Sequence, residues 1–80
     1  MTEKEVYERL TELFHELFGR DDIVLKPEMT AKDVKGWDSF THLNLIVGVE
    51  MRFGIRIPTN DIEKLNNVGD LVAAILARSG

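Results

Sequence analysis

The N-terminal part of the chain carries apolar side chains at helical spacing, and this pattern constrains the fold more than any other feature. Thr2 and Glu5 have the arrangement of a capping box, which marks the start of a helix, and Gly19 is a typical helix stop. The apolar residues between them follow steps of three, four and one along one helical face. They are Val6, Leu10, Leu13, Phe14, Leu17 and Phe18. The sequence therefore predicts a first helix over residues 3–18.

The segment that follows, residues 20–37, has no sustained apolar periodicity and is predicted to be a long loop. Within it, residues 30–33 could form one helical turn. Several apolar side chains are expected to hold the loop on the core: Ile23, Val24, Leu25, Met29 and Val34. A loop of this length in so small a domain is uncommon unless it is functional or packed over the core.

A second helix is predicted to begin at Asp38 or Ser39, because both residue types are favoured helix caps, and to end at Gly54. Its predicted buried face follows three- and four-residue steps. The residues of that face are Leu43, Ile46, Val49 and Phe53.

Two shorter patterns follow the second helix. Pro58 disfavours helix in the residue before it, so residues 55–58 are predicted to form an extended link. Thr59 or Asn60 can then cap a short third helix over residues 61–65.

The last helix is predicted to begin at Asn67 as its cap, with Asp70 as an acidic residue in its first turn, and to fray at residues 79–80. Its predicted buried residues are Val68, Leu71, Val72, Ile75 and Leu76. The chain is therefore expected to be all-α. It should form one domain over residues 1–80, a small four-helix bundle of three main helices and a short third helix, with a long first loop.

Charge and composition argue against several functional classes. The net charge is −4 and the basic residues do not cluster, which argues against a nucleic-acid partner. No apolar run approaches the roughly 20 residues of a membrane span, and no signal peptide is recognised, so we expect the cytoplasm and no stable membrane insertion. Two histidines without any cysteine supply no metal-ligand set.

The predicted first helix carries an acidic face that is either simply solvated or able to attract a basic partner. Its residues are Glu3, Glu5, Glu8, Glu12 and Glu16.

The run Gly36-Trp37-Asp38-Ser39-Phe40 places a serine hydroxyl at the start of the second helix, where unpaired N–H groups and the helix dipole favour a phosphate. Asp38 or Ser39 could equally be no more than a cap. A serine hydrolase could add His42 as a base, but the run does not match Gly-x-Ser-x-Gly, and neither a preceding strand nor an oxyanion hole is recognised. Both His42 and His15 are expected at the surface.

The residues that follow Ser39 extend this run into a longer pattern, which reaches residue 58. Residues 36–43 are followed by Glu50 late in an apolar helix, then by Phe53-Gly54-Ile55 and Ile57-Pro58. This arrangement resembles the acyl carrier protein family, whose signature is a Gly-x-Asp-Ser-Leu attachment motif, an apolar helix with a late Glu, and Phe-Gly and Ile-x-Ile-Pro-like residues. The resemblance covers nearly the whole chain.

The resemblance implies a carrier with no catalytic residues. Ser39 would bear a 4′-phosphopantetheine arm transferred from coenzyme A by a phosphopantetheinyl transferase, and the arm's thiol would hold acyl groups as thioesters for acyl-transferring and acyl-modifying enzymes. Asp38 would help to position the magnesium used by that transferase. Trp37 and Phe40 flank the pair and would lie beside the arm, although Trp37 could instead pack over the core.

The chain departs from the family on the outer face of the second helix, where many members carry a row of acids. Its expected partner-binding residues are Phe40, Asn44, Val47, Gly48, Glu50 and Met51. Glu50 is the one clear acid among them, and Phe40 replaces the usual leucine of the motif. Gly48 is unusual inside a helix and would reflect either neutral drift or the close approach of a partner helix. We therefore expect a specialised carrier that meets its partners through apolar contact.

The nature of the load stays open at this point. A fatty acid, specialised lipid or polyketide pathway fits the resemblance, and an aminoacyl, D-alanyl or peptidyl carrier is the alternative. A more remote alternative is a helical interaction module in which Ser39 is never modified. In each case we expect a monomer.

Overall fold

The computed structural model describes residues 1–79 and is all-helical over that range, which confirms the predicted fold class. Its elements are α1 (Glu3–Phe18), α2 (Ser39–Phe53), α3 (Thr59–Ile62) and α4 (Val68–Ser79). Within residues 1–79, no helix is long and apolar enough to cross a membrane. The predicted fraying of the last helix falls partly on Gly80, which lies outside the described residues.

Helix α1 begins and ends where the sequence predicts. The Glu5 N–H donates to the Thr2 hydroxyl over 3.2 Å, and the Glu5 carboxylate accepts from the Thr2 N–H in return, which completes the capping box. Gly19 ends the helix with a φ of 64°, a left-handed conformation that glycine adopts without steric cost. The acidic residues of α1 are all exposed, so its polar face meets solvent.

Helices α1, α2 and α4 share one apolar core. The side chains that are most completely enclosed come from all three helices. They are Val6, Leu10, Phe14, Leu45, Val49, Val68 and Ile75. Four of the five residues predicted to be buried on α4 belong to this core, and the fifth, Leu76, is partly buried against it.

Helix α2 is turned differently from the sequence prediction. Leu43 was expected in the core but is 56% exposed, whereas Leu45 is fully buried beside Ile46 and Val49. The prediction was wrong because α2 carries apolar residues on both sides, so periodicity alone cannot tell which side faces the core. Phe53 is partly buried, as a residue at the edge of this face.

The first loop packs over the core and supports α4. The Met29 carbonyl accepts from the Val68 N–H over 2.8 Å, and the Pro27 carbonyl accepts from the Gly69 N–H over 2.9 Å. These bonds satisfy N–H groups that the start of a helix otherwise leaves unpaired. Asn67 also caps α4 as predicted, because its side-chain oxygen accepts from the Asp70 N–H over 2.7 Å.

Two details of the connecting segments correct the sequence prediction. Ile23 and Val34 are buried as expected, but Val24 is exposed. Residues 30–33 form a single hydrogen-bonded turn that does not continue into a helix: the Asp33 N–H donates to the Thr30 carbonyl over 2.9 Å, and the Asp33 carboxylate accepts from the Thr30 N–H over 2.9 Å.

The third helix also differs from its prediction. It runs over Thr59–Ile62 and not over residues 61–65, with Pro58 as the cap and no side-chain hydrogen bond there. Pro58 explains the earlier start, because its fixed φ suits the position just before or within a first helical turn. Residues 63–64 continue as a turn.

Candidate functional site

Ser39 is the first residue of α2 and is exposed. Asp38 is the helix cap: its carboxylate accepts from the Thr41 N–H over 2.8 Å, and its carbonyl accepts from the His42 N–H over 2.8 Å. The Ser39 hydroxyl makes no hydrogen bond within residues 1–79. The capping role therefore belongs to Asp38, which leaves the serine hydroxyl available for chemistry.

The hydrogen bond from the Thr41 N–H also sets the charge of Asp38. A backbone donor favours the ionised carboxyl, and this bond lowers the pKa of Asp38 below its ordinary value. Asp38 is therefore ionised at neutral pH beside Ser39. Such a carboxylate suits the metal-positioning role that the resemblance implies, although the residues described contain no cluster able to hold a metal on its own.

A tight turn immediately before Asp38 places Asp38 and Ser39 at the start of α2. The Trp37 N–H donates to the Val34 carbonyl over 3.2 Å and closes a four-residue turn. Gly36 occupies the third position of that turn with a φ of 93°, a conformation that favours glycine over residues with a side chain. The backbone conformation of this turn therefore explains why a glycine stands at position 36.

Trp37 is buried and packs on the core, which is one of the two placements considered for it. Its ring meets Phe14 edge-to-face, with 5.3 Å between the ring centroids. The indole Nε1–H donates to Nδ1 of His42 over 3.1 Å. Trp37 therefore fixes the segment before Ser39 to α1 and also reaches the first turns of α2.

Neither histidine is a plain surface residue, contrary to expectation. His42 is half-buried against Trp37, and burial lowers the pKa of its ring. His15 is also half-buried, with Nε2 lying 2.9 Å from the Ile23 carbonyl. Each ring has a tertiary hydrogen-bond partner, which sequence spacing alone could not indicate.

A groove of about 540 Å³ opens beside Ser39. It lies between the start of α2, the first loop and the α3 segment. Its walls are mainly apolar, and they include Trp37, His42, Leu43, Ile62 and Leu65. A slender chain attached to the Ser39 oxygen could either extend into solvent or lie along this groove.

These residues fit a phosphopantetheine arm. The Ser39 hydroxyl is exposed and unpaired within the described part of the chain. It lies at the positive end of α2, where a phosphodiester anion is favoured. The Asp38 carboxylate is already engaged by the Thr41 N–H, so it leaves the serine oxygen free. The groove adjoins Ser39 and is large enough for a slender apolar chain.

The outer face of α2 exposes an apolar stripe. Phe40 is 75% exposed, Val47 53% and Met51 79%. Leu43 completes the stripe at helical steps of three and four, and Asn44 is exposed beside it. We refer to Phe40, Leu43, Val47 and Met51 as the outer stripe. Sequence reasoning missed Leu43, although its spacing from Phe40 and Val47 would have placed it there.

Two of the expected partner residues face the protein's own interior instead. A Cβ atom on Gly48 would lie 2.9 Å from Leu13 Cδ1, so this glycine allows α1 to approach α2 closely. The Glu50 carboxylate accepts from the Ile57 N–H over 2.9 Å and ties α2 to the link that follows it. The helix that approaches Gly48 closely is therefore α1 of the same chain.

Known proteins similar to this chain identify its family. The family model for the phosphopantetheine attachment site matches residues 8–75. An acyl carrier protein from Acidothermus cellulolyticus is 31% identical over 72 residues, covering 90% of this chain and 86% of the relative. The chain belongs to the acyl carrier protein family. Another acyl carrier protein, from an Exiguobacterium species, is 35% identical over 94% of this chain and 95% of its own length.

A specialised relative and a solved structure extend the family match. The meromycolate extension acyl carrier protein of Mycolicibacterium smegmatis is 32% identical over 92% of this chain and 75% of its own length. The solution structure of holo acyl carrier protein from Geobacter metallireducens superimposes with a TM-score of 0.86 at 38% identity, covering 91% of this chain and 84% of the other.

Family membership fixes the general function. This acyl carrier protein holds acyl intermediates, is not a catalyst, and has a covalently attached phosphopantetheine as its prosthetic group. Its partners include acyl-handling enzymes and a phosphopantetheinyl transferase. The unmodified interaction module is thereby set aside.

Proposed function

We propose that Ser39 is the attachment residue and that the chain presents acyl thioesters to biosynthetic enzymes from the start of α2. The observation that carries this proposal is that the cap of α2 is Asp38 and not Ser39. Asp38 caps the helix, so the exposed Ser39 hydroxyl keeps no structural duty within residues 1–79. A serine that served as the cap would have to give up that bond on modification.

The start of α2 suits the charge that attachment creates. Transfer forms a bond between the Ser39 oxygen and the pantetheine-bearing phosphorus of coenzyme A. It breaks the diphosphate bond of coenzyme A, so that adenosine 3′,5′-bisphosphate leaves and the proton of the Ser39 hydroxyl is released. The resulting phosphodiester anion would lie against the first-turn N–H groups and the positive end of the helix dipole. When bound, the arm supplies the thiol that holds the acyl group, while the protein supplies its placement and presentation.

The attachment site is tested by intact mass after incubation with coenzyme A and a promiscuous phosphopantetheinyl transferase. The wild-type chain should gain one arm and Ser39→Ala none. Ser79→Ala is the matched control, because Ser79 is the other serine of the chain, and it should gain the arm like the wild type. An unmodified wild-type chain, or a loaded Ser39→Ala, would contradict the proposal.

We further propose that enzyme partners dock on the outer stripe, with Asn44 beside it. The stripe begins one residue after Ser39 and is exposed along three turns of α2. The first turn of α2 contains no acid, and the Glu50 carboxylate is folded onto the Ile57 N–H. Attraction to a basic partner is therefore weaker here than on a row of free carboxylates, which supports a specialised carrier.

Ionic strength separates apolar docking from charge steering. Salt screens exposed charges and has little effect on apolar contact. Acyl transfer by a cognate enzyme should therefore keep most of its kcat/KM between low and moderate ionic strength. A loss of most of the activity over that range would show that charge steering dominates.

We propose an acyl load from a fatty acid, specialised lipid or polyketide pathway, carried by a cytoplasmic monomer. The mainly apolar wall of the groove favours an aliphatic chain over an amino acid. Cleavage of the thioester on protein from its own cells, followed by the mass of the released group, distinguishes the two. An amino acid would identify an aminoacyl, D-alanyl or peptidyl carrier instead.

A further inference from the structure

The hydrogen bond between Trp37 and His42 determines which atom His42 can offer to the groove. The indole N–H can only donate, so Nδ1 of His42, 3.1 Å away, must accept. The two rings lie nearly parallel, at 19°, with 6.0 Å between centroids, which holds the imidazole in one orientation. A neutral ring whose Nδ1 accepts carries its proton on Nε2.

The proton on Nε2 has no hydrogen-bond acceptor among the residues that the structure describes. Within residues 1–79, Nε2 of His42 makes no hydrogen bond, although Asp38 and Glu63 also line the groove. Burial lowers the pKa of His42 and keeps the ring neutral near pH 7. His42 is therefore a fixed, uncommitted N–H donor in the wall of the groove.

Helical geometry places this donor close to the attachment atom. His42 lies three residues after Ser39, so the two side chains share one face with roughly 5–6 Å between their Cβ atoms. Side chains on a helix lean toward its N-terminus, and the bond to Trp37, which precedes α2, shows that His42 does so here. An acceptor held on the Ser39 oxygen would be within reach of Nε2–H.

We propose that His42 is a positioning residue for the arm and donates its Nε2–H to an oxygen of the phosphodiester on Ser39. This inference rests on Ser39 as the attachment residue. A phosphodiester oxygen carries negative charge and forms stronger hydrogen bonds than a neutral acceptor. The bond would restrict the first part of the arm and direct it along the groove. Trp37, by donating to Nδ1, would keep the proton of His42 on Nε2.

The proposal is tested by comparing apo and holo wild-type protein by NMR at one fixed pH. Nε2 of His42 should carry the proton in both forms. In the holo form its proton resonance should move downfield and exchange with water about tenfold more slowly, as expected for a charge-assisted hydrogen bond. His15 is the internal reference, because its ring bonds to Ile23 in the first loop, and it should not change.

Variants of His42 provide a second readout through the phosphorus resonance of the arm. His42→Phe keeps an aromatic ring beside Trp37 but removes the donor, so the resonance should shift from its wild-type position. His42→Gln restores a donor at a similar reach and should return it toward that position. His15→Gln should have no effect.

The outcomes separate this inference from the proposed function. If wild-type protein gains no arm, Ser39 is not the attachment residue and both fail. If the arm is attached but neither the Nε2 proton nor the phosphorus resonance responds as described, the positioning role of His42 is wrong while the attachment stands. Because the apo–holo comparison uses wild-type protein, the test holds even if a variant fails to fold.

Discussion

Helices α1 and α2 are nearly equal in length, with 16 and 15 residues, yet they present opposite outer surfaces. The outer face of α1 is lined by exposed glutamates, whereas the outer face of α2 exposes the outer stripe. Both helices bury an apolar inner face against the same core. An apolar helical stripe therefore marks the core on α1, whereas on α2 it marks either the core or the surface proposed for docking.

Two leucines of α2 give the largest expected contrast in stability. Leu45 is fully buried, so Leu45→Ala should lower the free energy of unfolding by about 2–5 kcal/mol through lost burial and the cavity left behind. Leu43 is 56% exposed, so Leu43→Ala should lower it by far less, about 0.5 kcal/mol. Chemical denaturation of the two variants checks this contrast. Equal losses would mean that α2 is rotated from the position described.

The outer surfaces of the two helices should differ in how they affect partners. Val47→Ser combined with Met51→Ser removes two exposed apolar contacts and should lower kcat/KM for acyl transfer about tenfold, as expected when interface anchors are lost. Glu8→Gln on α1 is the matched control and should leave transfer unchanged. A larger effect from Glu8→Gln would reverse the assignment of the docking surface.

Gly48, at the contact between the two helices, gives the smallest of these effects. Gly48→Ala gains about 1 kcal/mol of helix propensity but presses a methyl group against the buried Leu13. Because Leu13 has little room to move, the crowding should exceed the gain, and the free energy of unfolding should fall by about 1 kcal/mol. Asn44→Ala, on the exposed side of the same helix, should be neutral or slightly stabilising. A stabilising Gly48→Ala would show that the close approach is unimportant.

The sequence was sufficient for the starts of the three longer helices and for the ends of α1 and α2, where local chemistry decides structure. The capping box of Thr2 and Glu5, the helix ends at Gly19 and Gly54 and the Asn67 cap depend on residues a few positions apart, and each was predicted. The position of Ser39 at the start of α2 follows from the same local rules. The family resemblance then supplied the chemistry that a single serine could not.

Apart from the start of α3, which Pro58 decides locally, the main errors concern features that depend on tertiary contact. Leu43 and Leu45 are chemically identical, and only the packing of α2 against α1 decides which of them is buried. The bond of Trp37 to His42 and that of Glu50 to Ile57 join residues whose pairing no local pattern indicates. For Gly48 the sequence left drift and a partner helix as alternatives, and the contact with Leu13 of α1 is a tertiary feature that neither alternative contained.

The most direct test of the central claim is fragment-ion mass spectrometry of the protein isolated from its own cells. The account predicts one phosphopantetheine, localised to Ser39, and in a fraction of molecules an acyl group on the arm that is released by cleavage of a thioester. An arm on another residue, or a protein that never carries one in those cells, would contradict the account.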